Sequence, residues 1–512
     1  MKRKFGQSML LLTALTLIQK GIGFLREVVM AYFYGTSVVT DALSMANSAS
    51  EIVMGFTTAF SMIFLPLYSQ YVAQQGRSSG DRFMNQILTL VSCFGTVLGL
   101  TAVLFAEPII SFVAPGFSGI VYAYSVLFFR FSVWAILLQA VSGILLNYLN
   151  YQEAFIPGAL AGLVVSPIQM LILVISVRVG ESFISQMLLL SNLSYVGVLY
   201  LICRRFGFRS AVCLTPTDRF RPVFRMVLPI FAGNAISYMN LTVDKIFGSQ
   251  LESGSVSSLE YAFNIRTMLV TVFTAALTTI IFPMLSKAAA KDDWDTLRQV
   301  TAKGVELITI LFFPLTIAVM LLARPLLILF YGGGVFDETS VRLTSGALFF
   351  YSIGLWPVAL REYLTRVYYS IQKTKALPLV WLTTMAVNIT GDFLLVGRYG
   401  VNGLALATSL SVLAASAVLY LLLRHYLRGP YIRKCLSVMF RSLSASAAMG
   451  AVVYAGRQYI LPLLGTQKLW LLVFLGGTAL IGSVIYFLLL MVLHVEAATE
   501  LLQPLLRRKH SS

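Results

Sequence analysis

Charged side chains stand inside long apolar runs of this sequence, and the chemistry of the chain must be sought there. Lys20, Arg26, Glu27, Asp41 and Glu51 fall in its first two runs; Asp244, Lys245, Glu260 and Arg266 fall in two runs of the second half. A charge at the centre of a membrane-spanning helix costs a few kcal/mol, about 2.5–3.5 on insertion scales, unless it faces protein or a water-filled cavity. Charges on corresponding segments of two halves therefore point to a polar central cavity with a net cationic lining. Arginine forks onto phosphate oxygens and lysine meets them as a point charge, so an anionic head group is the natural ligand. The plainer alternative is structural pairing, of Arg26 with Asp41 or of Arg361 with Glu362. Arg225, Arg366 and Arg441 lie close enough to span ends to snorkel to the surface.

A second constellation is all oxygen. Asn388 and Asp392 are four residues apart and share one helix face. With Asp244 and Thr408 they could offer a site to a small hard cation, which favours oxygen donors. The same spacing also suits an interhelical hydrogen bond.

These residues need helices to position them. Of 512 residues, 58% are hydrophobic and 12% charged, against about 25% charged in a soluble domain. That composition excludes disordered, collagen-like and disulfide-rich secreted classes. We read fourteen apolar segments long enough to cross a bilayer, the first near 8–33 and the last near 468–493. The expectation is an all-α polytopic membrane protein: two pseudo-symmetric six-helix halves plus two C-terminal helices. The runs are too long and continuous for a barrel pattern. The opening Met1-Lys2-Arg3-Lys4 resembles a signal peptide, but no small-residue cleavage site follows, so the run reads as a retained first span.

The four cysteines and three histidines show no metal-ligand spacing. No cofactor is expected apart from a coupling cation, and no His base or carboxylate pair suggests an enzyme. The formal charge of +17 is explained by topology. Basic residues cluster after every second span, including Arg204, Arg205, Arg209, Arg219 and Arg221, and again at Arg507, Arg508 and Lys509. The opposite loops hold only Arg178, Arg324, Arg342, Arg398, Arg457 and Lys468. The positive-inside rule then puts both termini in the cytoplasm and removes the need for a nucleic-acid partner.

The chain also repeats itself. AFSMIFLPLYS (59–69) matches ALTTIIFPMLS (276–286), Leu104–Pro108 matches Leu321–Pro325, and Pro157 matches Pro378 after a short insertion. The organisation expected is a six-helix repeat at 1–205, a linker at 206–221, a second repeat at 222–425, two extra helices in 436–493 and a tail at 494–512. Repeats of this kind bind substrate between halves and alternate access by rocking.

Specific segments carry a resemblance: GFLREVVMAYFYGTSVVTDA (23–42), FLPLYSQY (64–71), APGF (114–117), GILLNYLNYQEAFIPG (143–158), GSVSSLEYAFNIR (254–266), FPMLSK (282–287) and FYGGGVFD (330–337). The sequence is similar to the lipid II flippase family, within the superfamily of multidrug exporters and oligosaccharide flippases. The resemblance implies that Lys20, Arg26, Glu27, Asp41 and Arg266 line a cavity for a polyprenyl-diphosphate-linked sugar moved to the outer leaflet. It also implies sodium at Asp244, Asn388, Asp392 and Thr408, and a groove for the lipid tail between the last two spans. Two positions depart from the family pattern: Met54 and Asn264 stand where basic residues are expected, and Arg266 follows two residues later. Those departures leave room for another polyprenyl-linked oligosaccharide. A multidrug exporter would call for an acidic cavity. A membrane enzyme would need a catalytic constellation, and a scaffold would leave the buried charges unexplained. A monomer among membrane lipids is expected.

Overall fold

The computed structural model describes residues 2–213, 220–426, 431–465 and 467–498. The core of the expected linker, 214–219, and most of the expected tail, 499–512 with its basic cluster, lie outside the described residues. The elements are α1 (Lys2–Tyr34), α2 (Val38–Gln75), α3 (Arg77–Leu104), α4 (Ala106–Val113), α5 (Gly119–Tyr151), α6 (Phe155–Gly162), α7 (Val165–Val179), α8 (Ser185–Arg205) and α9 (Phe220–Gly248). There follow α10 (Ser255–Ala290), α11 (Trp294–Phe330), α12 (Glu338–Ile353), α13 (Leu355–Ser370), α14 (Leu377–Tyr399), α15 (Val401–Tyr426), α16 (Tyr431–Tyr459), the short α17 (Leu461–Leu464) and α18 (Lys468–Val492). No strand occurs among the described residues. Only helices and closed barrels satisfy every backbone group in hydrocarbon, and this chain takes the helical route.

Among the described residues, eleven helical stretches are long and apolar enough to cross a bilayer, and α12 with α13 makes a twelfth, bent by 47°. Fourteen were expected. The 33-residue α1 and the 36-residue α10 are long helices outside that count. The bend of the twelfth has a local cause. Pro357 cannot donate to the carbonyl of Ile353, so the ladder breaks at Gly354. Ser409 of α15 donates to the Phe350 carbonyl at 2.8 Å beside the break. Large apolar side chains such as Leu104, Phe112 and Leu463 stand more than three-quarters exposed, as lipid-facing positions do.

Two compact units form: residues 1–257 with 334–336, and residues 258–333 with 337–512. The sequence repeat divides ahead of α9, whereas compactness assigns α9 to the first unit because it packs along α2. In that unit α2 is central and also meets α3 and α5. Small residues allow the approach, Gly143 of α5 facing Ser61 of α2, and polar groups fasten it. Asn147 donates to the Ser61 carbonyl at 2.8 Å and Ser132 to Asn47 at 2.9 Å. The segment 334–336 closes on the end of α1: the Val335 N–H donates to the Tyr32 carbonyl at 2.9 Å. Gly35 has φ +53, and a Cβ there would lie 2.8 Å from the Val335 carbonyl oxygen, so only glycine fits this turn.

In the second unit, α14 and α15 pack with Gly391 against Ala407. The helix α11 carries Pro314 and Pro325, which strip the intrahelical donors from the carbonyls of Ile310 and Leu321. Tyr486 of α18 donates to the Ile310 carbonyl at 2.8 Å, and Arg457 of α16 donates to that of Leu321 at 2.8 Å. The two C-terminal helices are thus fastened to the unit by the carbonyls its prolines release. Outside the spans, Asp293 caps α11 and Asp337 caps α12. Hydrogen bonds from Thr296 and Ser340 respectively hold these carboxyls below the usual aspartate range.

Candidate functional site

In the first unit, the candidate cations lie on α1. Lys20 is exposed, while Arg26 and Glu27 are half-buried and paired to each other. Arg26 Nη1 also donates to Gln169 Oε1 of α7 at 2.8 Å, and Gln169 Nε2 donates to Ser191 of α8 at 3.0 Å. Arg26 is therefore aimed by a polar relay through three helices, not by Asp41. Sequence reasoning missed Gln169, although a lone amide in the apolar run of α7 was the available signal. Two guanidinium nitrogens are committed in this way, and the side chain stays 28% exposed, so further donors of the fork remain for an anion.

Asp41 does something else. It is buried, and its carboxylate accepts from the Gly254 N–H at 2.6 Å, the Ser257 N–H at 2.7 Å and the Ser257 hydroxyl at 2.7 Å. It caps the first turn of α10, where free N–H groups and the helix dipole favour a negative charge. Gly254 adopts φ +89, and a Cβ there would meet the Thr36 carbonyl oxygen at 2.6 Å. On α9, Asp244 is buried and Lys245 Nζ donates to Ser48 of α2 at 2.9 Å. Met54 is fully buried against Gly99 of α3, so the core of α2 is apolar where the family places a cation.

In the second unit, Arg266 is buried with its guanidinium over the rings of Phe263, 4.6 Å away, and Tyr351, 5.1 Å away. Asn264 is half-buried. Asn388, Asp392 and Thr408 are all buried where α14 meets α15, with Asn388 Nδ2 3.5 Å from Thr408 Oγ1. Of the four oxygen ligands expected, these three lie in the second unit and Asp244 in the first. Asn388 Oδ1 is buried with no hydrogen-bond partner. A buried acceptor left over beside a carboxylate and a hydroxyl fits a small hard cation.

Long apolar helices in two units, several carrying buried charge, define a multi-pass membrane protein. The fold agrees. A solved structure titled "Lipid II flippase MurJ, inward closed conformation" aligns with TM-score 0.79 and 21% identity over 95% of this chain and 99% of its own. An inward-facing multidrug resistance MATE family transporter of the MOP superfamily aligns with TM-score 0.68 and 12% identity over 80% of this chain and 94% of its own. The family profile described as lipid II flippase MurJ matches residues 30–475. A Vibrio cholerae relative named "Probable lipid II flippase MurJ" is 27% identical over 96% of this chain and 98% of its own length. The "Lipid II flippase MurJ" of Burkholderia cenocepacia is 26% identical over 83% of this chain and 84% of its own. The chain belongs to the MurJ family, a family of membrane transporters and not of enzymes.

Proposed function

We propose that this chain flips lipid II, a polyprenyl-diphosphate-linked cell-wall precursor, from the inner to the outer leaflet of the bacterial cytoplasmic membrane. It works by alternating access as a single chain with both termini in the cytoplasm, and a sodium gradient or the membrane potential drives it. The observation that carries this reading is Arg26, half-buried on α1 and aimed by Gln169 with donors to spare, in a chain matching the family from residue 30 to 475. Arg26, with Lys20 one to two turns earlier on α1, receives the diphosphate. Glu27 offsets part of the charge and so keeps the head group releasable. Arg266 adds a cation on α10, and Asp41 acts from α2 by holding the turn that begins α10. Asn388, Asp392 and Thr408 would hold the sodium ion, whose charge, when bound, neutralises the buried Asp392 carboxylate. The protein's own contribution is to keep those oxygens preformed between α14 and α15, where Gly391 lets the backbones close.

A second cargo, another polyprenyl-linked oligosaccharide, is favoured by Met54 and Asn264, which replace two expected cations. The two cargoes are separated by titrating the full chain in nanodiscs with each lipid. Lipid II should bind, and Arg26→Ala should weaken it at least tenfold, about 1.4 kcal/mol. Tighter binding of an oligosaccharide lipid lacking the peptide would favour the second cargo.

A further inference from the structure

The helix that carries Lys20 and Arg26 has its own fastening, and Arg26 is one rung of it. Within the first unit α1 packs chiefly on α6 and α7. Gln19 Nε2 donates to the Ala159 carbonyl of α6, and Gly162 leaves the room that Gln19 fills. Gly23 faces Ser166, Arg26 donates to Gln169 at 2.8 Å, and the Tyr34 hydroxyl meets Ser176 Oγ at 2.7 Å. Ser176 gives its own proton to the Leu173 carbonyl at 2.7 Å, so Tyr34 is the donor. Met30 and Leu173, both buried, occupy the rung between. On α1 the rungs fall at 19, 23, 26, 30 and 34, steps of four and three that keep them on one face. Their counterparts at 162, 166, 169, 173 and 176 follow the same rhythm, 143 residues on at Arg26 and 142 at Tyr34. Numbers rise together on both sides, so α1 runs parallel to α7 in a single register that holds across the break after α6.

Small and polar residues along a seam let helices approach and fix their register, because a one-turn slip sets each polar group opposite the wrong partner. Slipping or parting here would strand Gln169, Ser176 and Tyr34, all buried, away from their hydrogen bonds. The opposite face of α1 has no such hold: Leu17, Ile18 and Leu25 stand about half exposed. We propose that the seam locks α1 to α6 and α7 as one body, so that Lys20 and Arg26 are moved by α7 and keep their place on it throughout the transport cycle. Gln19, Gln169 and Ser176 are then positioning residues, which fix where the two cations stand without touching the lipid. The cycle rests on the flippase reading, whereas the seam does not.

The test uses the full chain in liposomes with Gly23→Cys and Ser166→Cys combined. A Cβ at residue 23 lies 3.9 Å from Ser166 Oγ, close enough for a disulfide. Mild oxidation should form that staple, read by mass spectrometry, with each single variant as control. Met30→Cys combined with Ser166→Cys, about two turns out of register, should stay reduced. Stapled protein should move fluorescent lipid II as fast as the same protein after reduction. Spin labels at Leu17 and Leu171, both exposed, give a readout that needs no transport: their separation should stay single and unchanged when undecaprenyl diphosphate is added. A staple that fails to form, or an out-of-register pair that forms equally well, would overturn the seam. Loss of movement on oxidation that reduction restores, or a second label separation with the diphosphate, would overturn the shared motion. If no form of the protein moves lipid II while staple and labels behave as expected, the flippase reading falls and the one-body seam stands.

Discussion

Asp41→Ala removes an acceptor from three donors at once, and its cost can be worked from the geometry. The Ser257 hydroxyl has a fallback in the Gly254 carbonyl oxygen, 3.3 Å away. The N–H groups of Gly254 and Ser257, now at 2.6 and 2.7 Å from the carboxylate, have none. Each stranded buried donor costs about 1–3 kcal/mol, and a lost cap typically about 1. Together they give about 3–7 kcal/mol, or on the order of 10 °C for a unit of this size that melts cooperatively. Asp41→Asn should lose roughly half as much: its amide oxygen can still accept from Ser257, but its NH2 must face a donor at Gly254. The assay is thermal melting in nanodiscs combined with amide hydrogen exchange on a peptide covering 254–257. Both variants should speed exchange there, alanine more than asparagine. A melting temperature within about 1 °C of wild type with unchanged exchange would refute the capping role and return Asp41 to the list of head-group ligands.

Other outcomes follow from single contacts. Tyr486→Phe should cost about 1 kcal/mol by stranding the Ile310 carbonyl. The cost should vanish in a Pro314→Ala background, where an N–H at residue 314 can take over; a full penalty in the double variant would sink the account of the C-terminal helices. Asp337 is held below its usual pKa by Ser340, so its contribution is complete above the ordinary aspartate value near 4. That contribution disappears as pH falls through the lower, folded value. Asp337→Asn should therefore flatten the loss of helical exchange protection below about pH 4 around the start of α12, and an unchanged slope would contradict the cap. Asp392→Asn should make transport indifferent to a sodium gradient that accelerates wild type; equal gradient dependence in the two proteins would remove the ion site.

The apolar runs, the repeat and the buried charges were all legible in the sequence because each is a local pattern. Partnership was not. Asp41 and Arg26 are close in sequence and opposite in charge, so a pair was a fair expectation. The chain instead hands Asp41 to Gly254 and Ser257 and hands Arg26 to Gln169, partners that only long-range packing selects. Pro314 and Pro325 were visible as breaks in a span, but nothing local says that Tyr486 and Arg457 answer them. The bend at Gly354 likewise depends on Ser409 as well as on Pro357. At Arg361 and Glu362, adjacency suggested an ion pair, yet neighbours on a helix point about 100° apart, and the two side chains do not close. Family membership was legible because its motifs are turns and glycines, such as FYGGGVFD, whose fit to the end of α1 is steric.

The most direct measurement is flipping itself. Purified protein in liposomes carrying fluorescent lipid II is followed by reduction of the dye accessible on the far leaflet, against liposomes without protein. The proposed function predicts protein-dependent movement that exceeds that of a matched phosphatidylglycerol probe and falls with Arg26→Ala. Movement of lipid II no faster than in protein-free liposomes, with the protein shown to be folded, would contradict it.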